Sequence, residues 1–128
     1  MCLTTKIFAK KHTATTDITV YKFLYKSTVT DNLFTPYLSK IVSIGETYIS
    51  LLSRCYFNEV HMGLHSFADY DDCLRHAKTE RSDIFETVVV ECTIPSGSRY
   101  YQGKFHRFNS IASDRLVYNK ILITLPKL

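Results

Sequence analysis

Ile84-Phe85-Glu86-Thr87-Val88-Val89-Val90-Glu91-Cys92-Thr93-Ile94, residues 84–94, is the stretch on which the fold class turns. Three consecutive valines lie between polar residues, and β-branched side chains suit a pleated surface better than a helix. Apolar residues at successive positions mean burial on both faces, so this reads as the strongest strand of the chain and a central one. Just after it, Pro95-Ser96-Gly97-Ser98 holds both turn punctuators. Tyr100 to Phe108 follows as a further extended run. Leu116-Val117-Tyr118 and Ile121-Leu122-Ile123 supply one or two closing strands, broken near Asn119-Lys120.

Upstream, Asp69 reads as a helix N-cap whose carboxylate accepts from first-turn amides. The residues after it, Tyr70 to Lys78, put acids early and bases late, as the helix dipole favours. Tyr70, Cys73, Leu74 and Ala77 fall at i, i+3, i+4 and i+7, one apolar stripe. His61 to Phe67 reads as extended, with Gly63 disfavouring a helix, while Leu52 to Glu59 fits helix or strand equally. Thr47 to Leu51 alternates after a Gly45-Glu46 turn, Thr35-Pro36-Tyr37 breaks the chain, and Ile18 to Tyr25 is a second clear strand. Residues 1–15 are polar and basic apart from Ile7-Phe8, an edge strand or a mobile arm. The sum is one domain over 1–128, of α+β class, with a mainly antiparallel sheet of five to seven strands and one or two helices.

The composition excludes several classes. With 128 residues, 45% of them hydrophobic and 22% charged, the chain can fold around a core and is neither disordered nor collagen-like. No run approaches the ~20 apolar residues of a membrane span. The N-terminus lacks an apolar signal core, so a cytoplasmic location is expected. Cys2, Cys55, Cys73 and Cys92 lack CxxC spacing and read as reduced thiols. His61 and His65, four apart on a strand, stand about 13 Å from each other, too far to share one ion. Cys73 and His76 are better explained structurally, and no metal or cofactor is expected. No nucleophile elbow, phosphate loop or dinucleotide fingerprint occurs.

The net charge of +4 is unevenly spread. Residues 1–58 carry seven basic and three acidic side chains, residues 59–91 three and eight, and residues 92–128 six and one. Two basic segments flank an acidic one. In the last of them, Arg99-Tyr100-Tyr101-Gln102-Gly103-Lys104-Phe105-His106-Arg107-Phe108 interleaves aromatic with cationic residues. Such a strand can stack bases beside phosphate-binding charge, or bury its aromatics and leave its cations in water. Sequence-specific DNA binding is not expected, because a basic recognition helix is lacking.

Several segments, in order, resemble a group of small uncharacterised phage and bacterial proteins. They are Val20-Tyr21-Lys22, Thr35-Pro36-Tyr37, Ile44-Gly45-Glu46-Thr47-Tyr48, Gly63-Leu64-His65-Ser66-Phe67 and Val89 to Ser98. The resemblance spans about residues 18–118 and implies a phage or prophage source. A more distant likeness is to the ADP-ribosyltransferase fold, with Tyr21-Lys22, His65-Ser66-Phe67 and Val89 to Gly97 in its three motif positions. Lys22 stands where that family has Arg or His. The last Glu is Glu91, and Asp114 is the one carboxylate after Ile94.

Three functional expectations result. The first is a phage-type anti-defence protein of the host cytoplasm that sequesters a nucleotide-like anionic signal without catalysis. Its contacts would be Tyr21, Lys22, His65, Ser66, Arg99, Tyr101, Lys104, Arg107 and Arg115. The second is an ADP-ribosyltransferase-like enzyme using Asp114 or Glu91. The third is an inhibitor that docks on a bacterial protein target. A homo-oligomer is expected, since small clefts are often completed across a two-fold interface.

Overall fold

The computed structural model describes residues 3–5, 10–37, 39–55 and 59–128. Thirteen strands and one helix follow each other along the chain. They are β1 (Leu3–Thr4), β2 (His12–Thr13), β3 (Ile18–Lys26), β4 (Leu33–Phe34), β5 (Ile41–Val42), β6 (Thr47–Ile49) and β7 (Ser53–Cys55). Then come β8 (Glu59–Met62), β9 (Leu64–Phe67), α1 (Tyr70–Thr79), β10 (Glu86–Ile94), β11 (Arg99–Phe105), β12 (Phe108–Ser113) and β13 (Arg115–Leu125).

All of the strands join one antiparallel sheet, whose main path runs β6-β13-β10-β3-β9-β12-β11-β1-β8-β7 and curls into a half-barrel. Strand accounts for 54% and helix for 9% of the described residues. The α+β expectation is therefore corrected. The protein is mostly β, with far more strands than five to seven, and the ADP-ribosyltransferase-like architecture goes with it. The physical reason lies in length. β1, β2, β4 and β5 have two residues each, too few for an alternation to register, yet each completes a ladder.

The 84–94 reading holds at the centre. β10 pairs with β3 from Glu86↔Lys26 to Ile94↔Ile18 and with β13 on its other edge. Val88, Val89 and Val90 are wholly buried. β13 is one continuous strand across Asn119-Lys120: Asn119 and Leu122 are extra residues on β13 at two register shifts against β10, and Asn119 donates to Thr93 Oγ1 at 2.7 Å. His106 and Arg107, both at positive φ, turn β11 into β12. Within the first fifteen residues β2 pairs with β11 alone, whereas β1 is interior. β1 lies between β11 and β8, with Leu3 fully buried, while Ile7 and Phe8 fall outside the described residues. Gly103 permits this approach, since a Cβ there would overlap the Thr4 carbonyl oxygen.

Alternation along β3 divides the interior. Phe23 points to the face that α1 covers through Cys73 and Ala77, joined by Phe67, Val89 and Phe105. Val20 and Leu24 point to the opposite face with Val88, Val90, Cys92, Leu116 and Tyr118. Asp69 is the N-cap residue of α1, but its side chain makes no capping hydrogen bond. Among the described residues no helix is long and apolar enough to cross a membrane.

Candidate functional site

The sheet opens at one place. On one edge of β3, Tyr21 pairs with Phe67 of β9 and Tyr25 pairs with Phe34 of β4. Between them, Lys22, Phe23 and Leu24 have no ladder partner on that edge among the described residues. The two neighbouring strands diverge here, and a cavity of about 300 Å³ occupies the fork. Leu64, His65 and Phe67 of β9 form one wall, and Thr35 to Tyr37 with Lys40 to Val42 form the other. Tyr48, His61 and Tyr118 complete it.

Lys22 gives the cavity its chemistry. It shares a face of β3 with the fully buried Val20 and Leu24, and Val90 of β10 stands opposite it. Its Nζ donates to the His65 backbone carbonyl at 2.9 Å. No Asp or Glu is among the described residues lining the cavity. Burial lowers the Lys22 pKa below the usual lysine range. Cys92, across the ladder from Val20, supplies no counter-charge, because burial pushes its thiol up to about 12. An ammonium here has an apolar floor, one carbonyl partner and a hollow in front of it.

His65 is held in place by backbone. Its Nδ1 lies 3.1 Å from the Gly63 carbonyl oxygen and its Nε2 3.2 Å from that of Val60. Burial, then the Lys22 charge, lower its pKa to about 4, against the pull of those two carbonyls. The ring is therefore neutral near pH 7 and donates its single N–H to one of them. At the mouth, Tyr48 accepts from the Ser43 amide at 2.7 Å and donates to Glu46 Oε2 at 3.2 Å. Tyr118, paired edge-to-face with Tyr48, also lines the hollow.

Of the nine residues the sequence suggested, only Lys22 and His65 line this cavity. Ser66 is buried, and its hydroxyl donates to the Ile111 carbonyl at 3.4 Å. Tyr21 lies on the helix-covered face against Tyr70. Tyr101 is buried beside Leu3 and Val60, with Lys11 Nζ and the Arg54 guanidinium over its ring. The Arg99 amide donates to Asp114 Oδ1 and its carbonyl accepts from the Asp114 amide, Arg115 lies beside Gly97, and Lys104 and Arg107 are exposed at the β11–β12 hairpin. The aromatic-basic strand thus buries Tyr101 and Phe105 and leaves its cations in water. Asp114 is engaged in the Arg99 bend, Glu91 stands between Tyr21 and Lys120, and neither lines the cavity.

Tyr37, Lys40, Tyr48, His61 and Tyr118 are the lining residues that sequence reasoning missed. They come from four separate segments, Tyr37 and Lys40 sharing the connection between β4 and β5, and no local spacing links the four. Among the described residues no group of three or more His, Cys, Asp or Glu side chains converges as metal ligands would. Comparison with protein families, curated proteins and solved structures finds no match to this chain.

Proposed function

We propose that this protein binds a nucleotide-like anionic small molecule in the cavity around Lys22 and holds it without reacting it. One observation carries the reading: a lysine on an apolar floor, with no described carboxylate nearby, facing a hollow also lined by Lys40 and His61. A buried cation without a counter-ion is costly, and an anionic ligand would supply the missing charge. Tyr37, Tyr48 and Tyr118 offer ring faces and hydroxyls for a planar base. At about 300 Å³ the cavity is at the small end of ligand sites, which favours a mononucleotide-sized compound over a dinucleotide. With the phage-like order of its motifs, this supports an anti-defence role, sequestering a signal nucleotide in the host cytoplasm.

Thermal-shift and calorimetric titrations with AMP, cyclic mononucleotides, ADP-ribose and uncharged adenosine test it. The anionic compounds should raise the melting temperature and adenosine should not, and Lys22→Met should abolish the difference. Equal responses to adenosine and AMP would defeat the proposal.

The mouth favours a second reading. Tyr37, Ile41 and Ile49 are 48%, 66% and 78% exposed around it. Such a rim suits coverage by another chain, either a second copy or a bacterial protein target. Native mass spectrometry of protein purified from its host would show a subunit pair or a stoichiometric partner. A bare monomer would remove this reading.

A further inference from the structure

The cavity lysine differs from a surface lysine in what surrounds its nitrogen. Lys26, on the same strand and the same face, pairs with the Asp31 carboxylate at 3.9 Å. Lys22 has the neutral His65 carbonyl instead, at the wall of a hollow large enough for a ring system. A carbonyl oxygen accepts an N–H and leaves the lone pair of a free amine uncommitted. Burial lowers the Lys22 pKa, so the free amine is more accessible here than on a surface lysine. Desolvated lysines of this kind are nucleophiles toward carbonyl carbon.

We propose that Lys22 is a carbonyl-capturing residue, whose amine forms an imine with an aldehyde or ketone entering the cavity. Nζ attacks the carbonyl carbon and the new C–N bond forms. The carbonyl oxygen departs as water, taking both amine protons, and C=N remains. No oxidant, reductant or metal takes part. Tyr118 and Tyr48 bound the space in which the carbonyl compound would lie. Lys40 and His61 on the same lining favour a planar carbonyl compound with an anionic group. That preference rests on the anion-binding reading, whereas the capture itself does not.

Pyridoxal 5′-phosphate and unphosphorylated pyridoxal serve as probes, each incubated with the whole protein at pH 7 and reduced with borohydride before peptide mapping. One adduct on Lys22 is expected, at a rate exceeding that of Lys26 by at least about tenfold. It should be absent from Lys22→Arg and Lys22→Met, whose circular dichroism checks that they fold. Label on Lys22 no faster than on Lys26 in the wild-type protein would overturn the proposal without recourse to any variant. Equal capture of both probes would uphold the imine and count against the anion preference. Nucleotide binding with Lys22 unlabelled would refute capture and leave the anion reading in place.

Discussion

The two faces of the sheet each bury a basic side chain, and they treat it in opposite ways. On the helix-covered face His76 of α1 is enclosed by rings. Phe23, Phe67, Phe105 and Phe108 have centroids 5.4–5.8 Å away, and His106 stacks at 6.0 Å. Its Nε2 meets the Tyr37 hydroxyl at 3.4 Å. Burial lowers its pKa, with Glu80 pulling the other way. On the opposite face Lys22 has one carbonyl and a hollow. A helix laid over the sheet fills space and neutralises the base it encloses. Where the strands fork around a hollow, the base keeps a polar task to perform. Tyr37 joins the two regions, lining the cavity while touching His76 and Phe105.

The largest break in this contrast comes from emptying the filled side. Phe105 is buried against Phe67, His76 and Tyr37 and does not line the cavity. Phe105→Ala should lower the unfolding free energy by about 3–5 kcal/mol, the loss of a buried ring plus the void it leaves. Water reaching the void should also move His76 back toward the ordinary histidine range, visible in its NMR titration. A loss below about 1 kcal/mol in urea unfolding would show that the cluster is not packed as described.

Acid should sharpen the contrast next. His65 titrates at about 4 in the folded protein against 6.5 unfolded. The unfolded chain therefore binds the proton first, and stability falls as pH drops from 6.5 to 4 and levels off below. The loss is about 3 kcal/mol for the native shift that burial and the Lys22 charge produce. Urea unfolding at pH 7 and pH 4 measures it. His65→Gln should lose correspondingly less between the two. Equal losses in variant and wild type would assign the acid sensitivity elsewhere, His76 being the first candidate.

How much of this could be read from the residues follows from the range of each signal. Val88-Val89-Val90, the Ile18–Tyr25 alternation and the Tyr70–Ala77 stripe each lie within one element, and all three elements are where the patterns put them. The two-residue strands carry no period. Their existence depends on ladders made elsewhere, so Leu3–Thr4 became structural only through β11, β8 and the missing Cβ of Gly103. The site divides in the same way. Lys22 was visible as a cation inside an apolar strand, a local contradiction of the kind that marks functional positions. Arg99, Lys104 and Arg107 looked equally cationic but alternate with buried aromatics and face water. Tyr48, His61 and Tyr118 meet only because the sheet forks, which depends on pairing between residues distant in sequence.

The smallest effect is the most diagnostic, because its sign separates the two faces. A side chain kept for stability weakens the protein when replaced. Lys22→Met keeps the length and apolar stem while removing a charge with no described carboxylate partner. The His65 carbonyl left behind lies beside the hollow, where water can take the place of Nζ. The free protein should therefore gain about 1–3 kcal/mol of stability at pH 7, even as it loses its response to nucleotides. The gain has a pH signature. With the native Lys22 pKa below the unfolded 10.5, the penalty is full at low pH and fades as pH rises toward 10.5. Urea midpoints of variant and wild type should accordingly converge between pH 7 and pH 10. A destabilised Lys22→Met protein, or a gap that does not close with rising pH, would place Lys22 with His76 as a structural base.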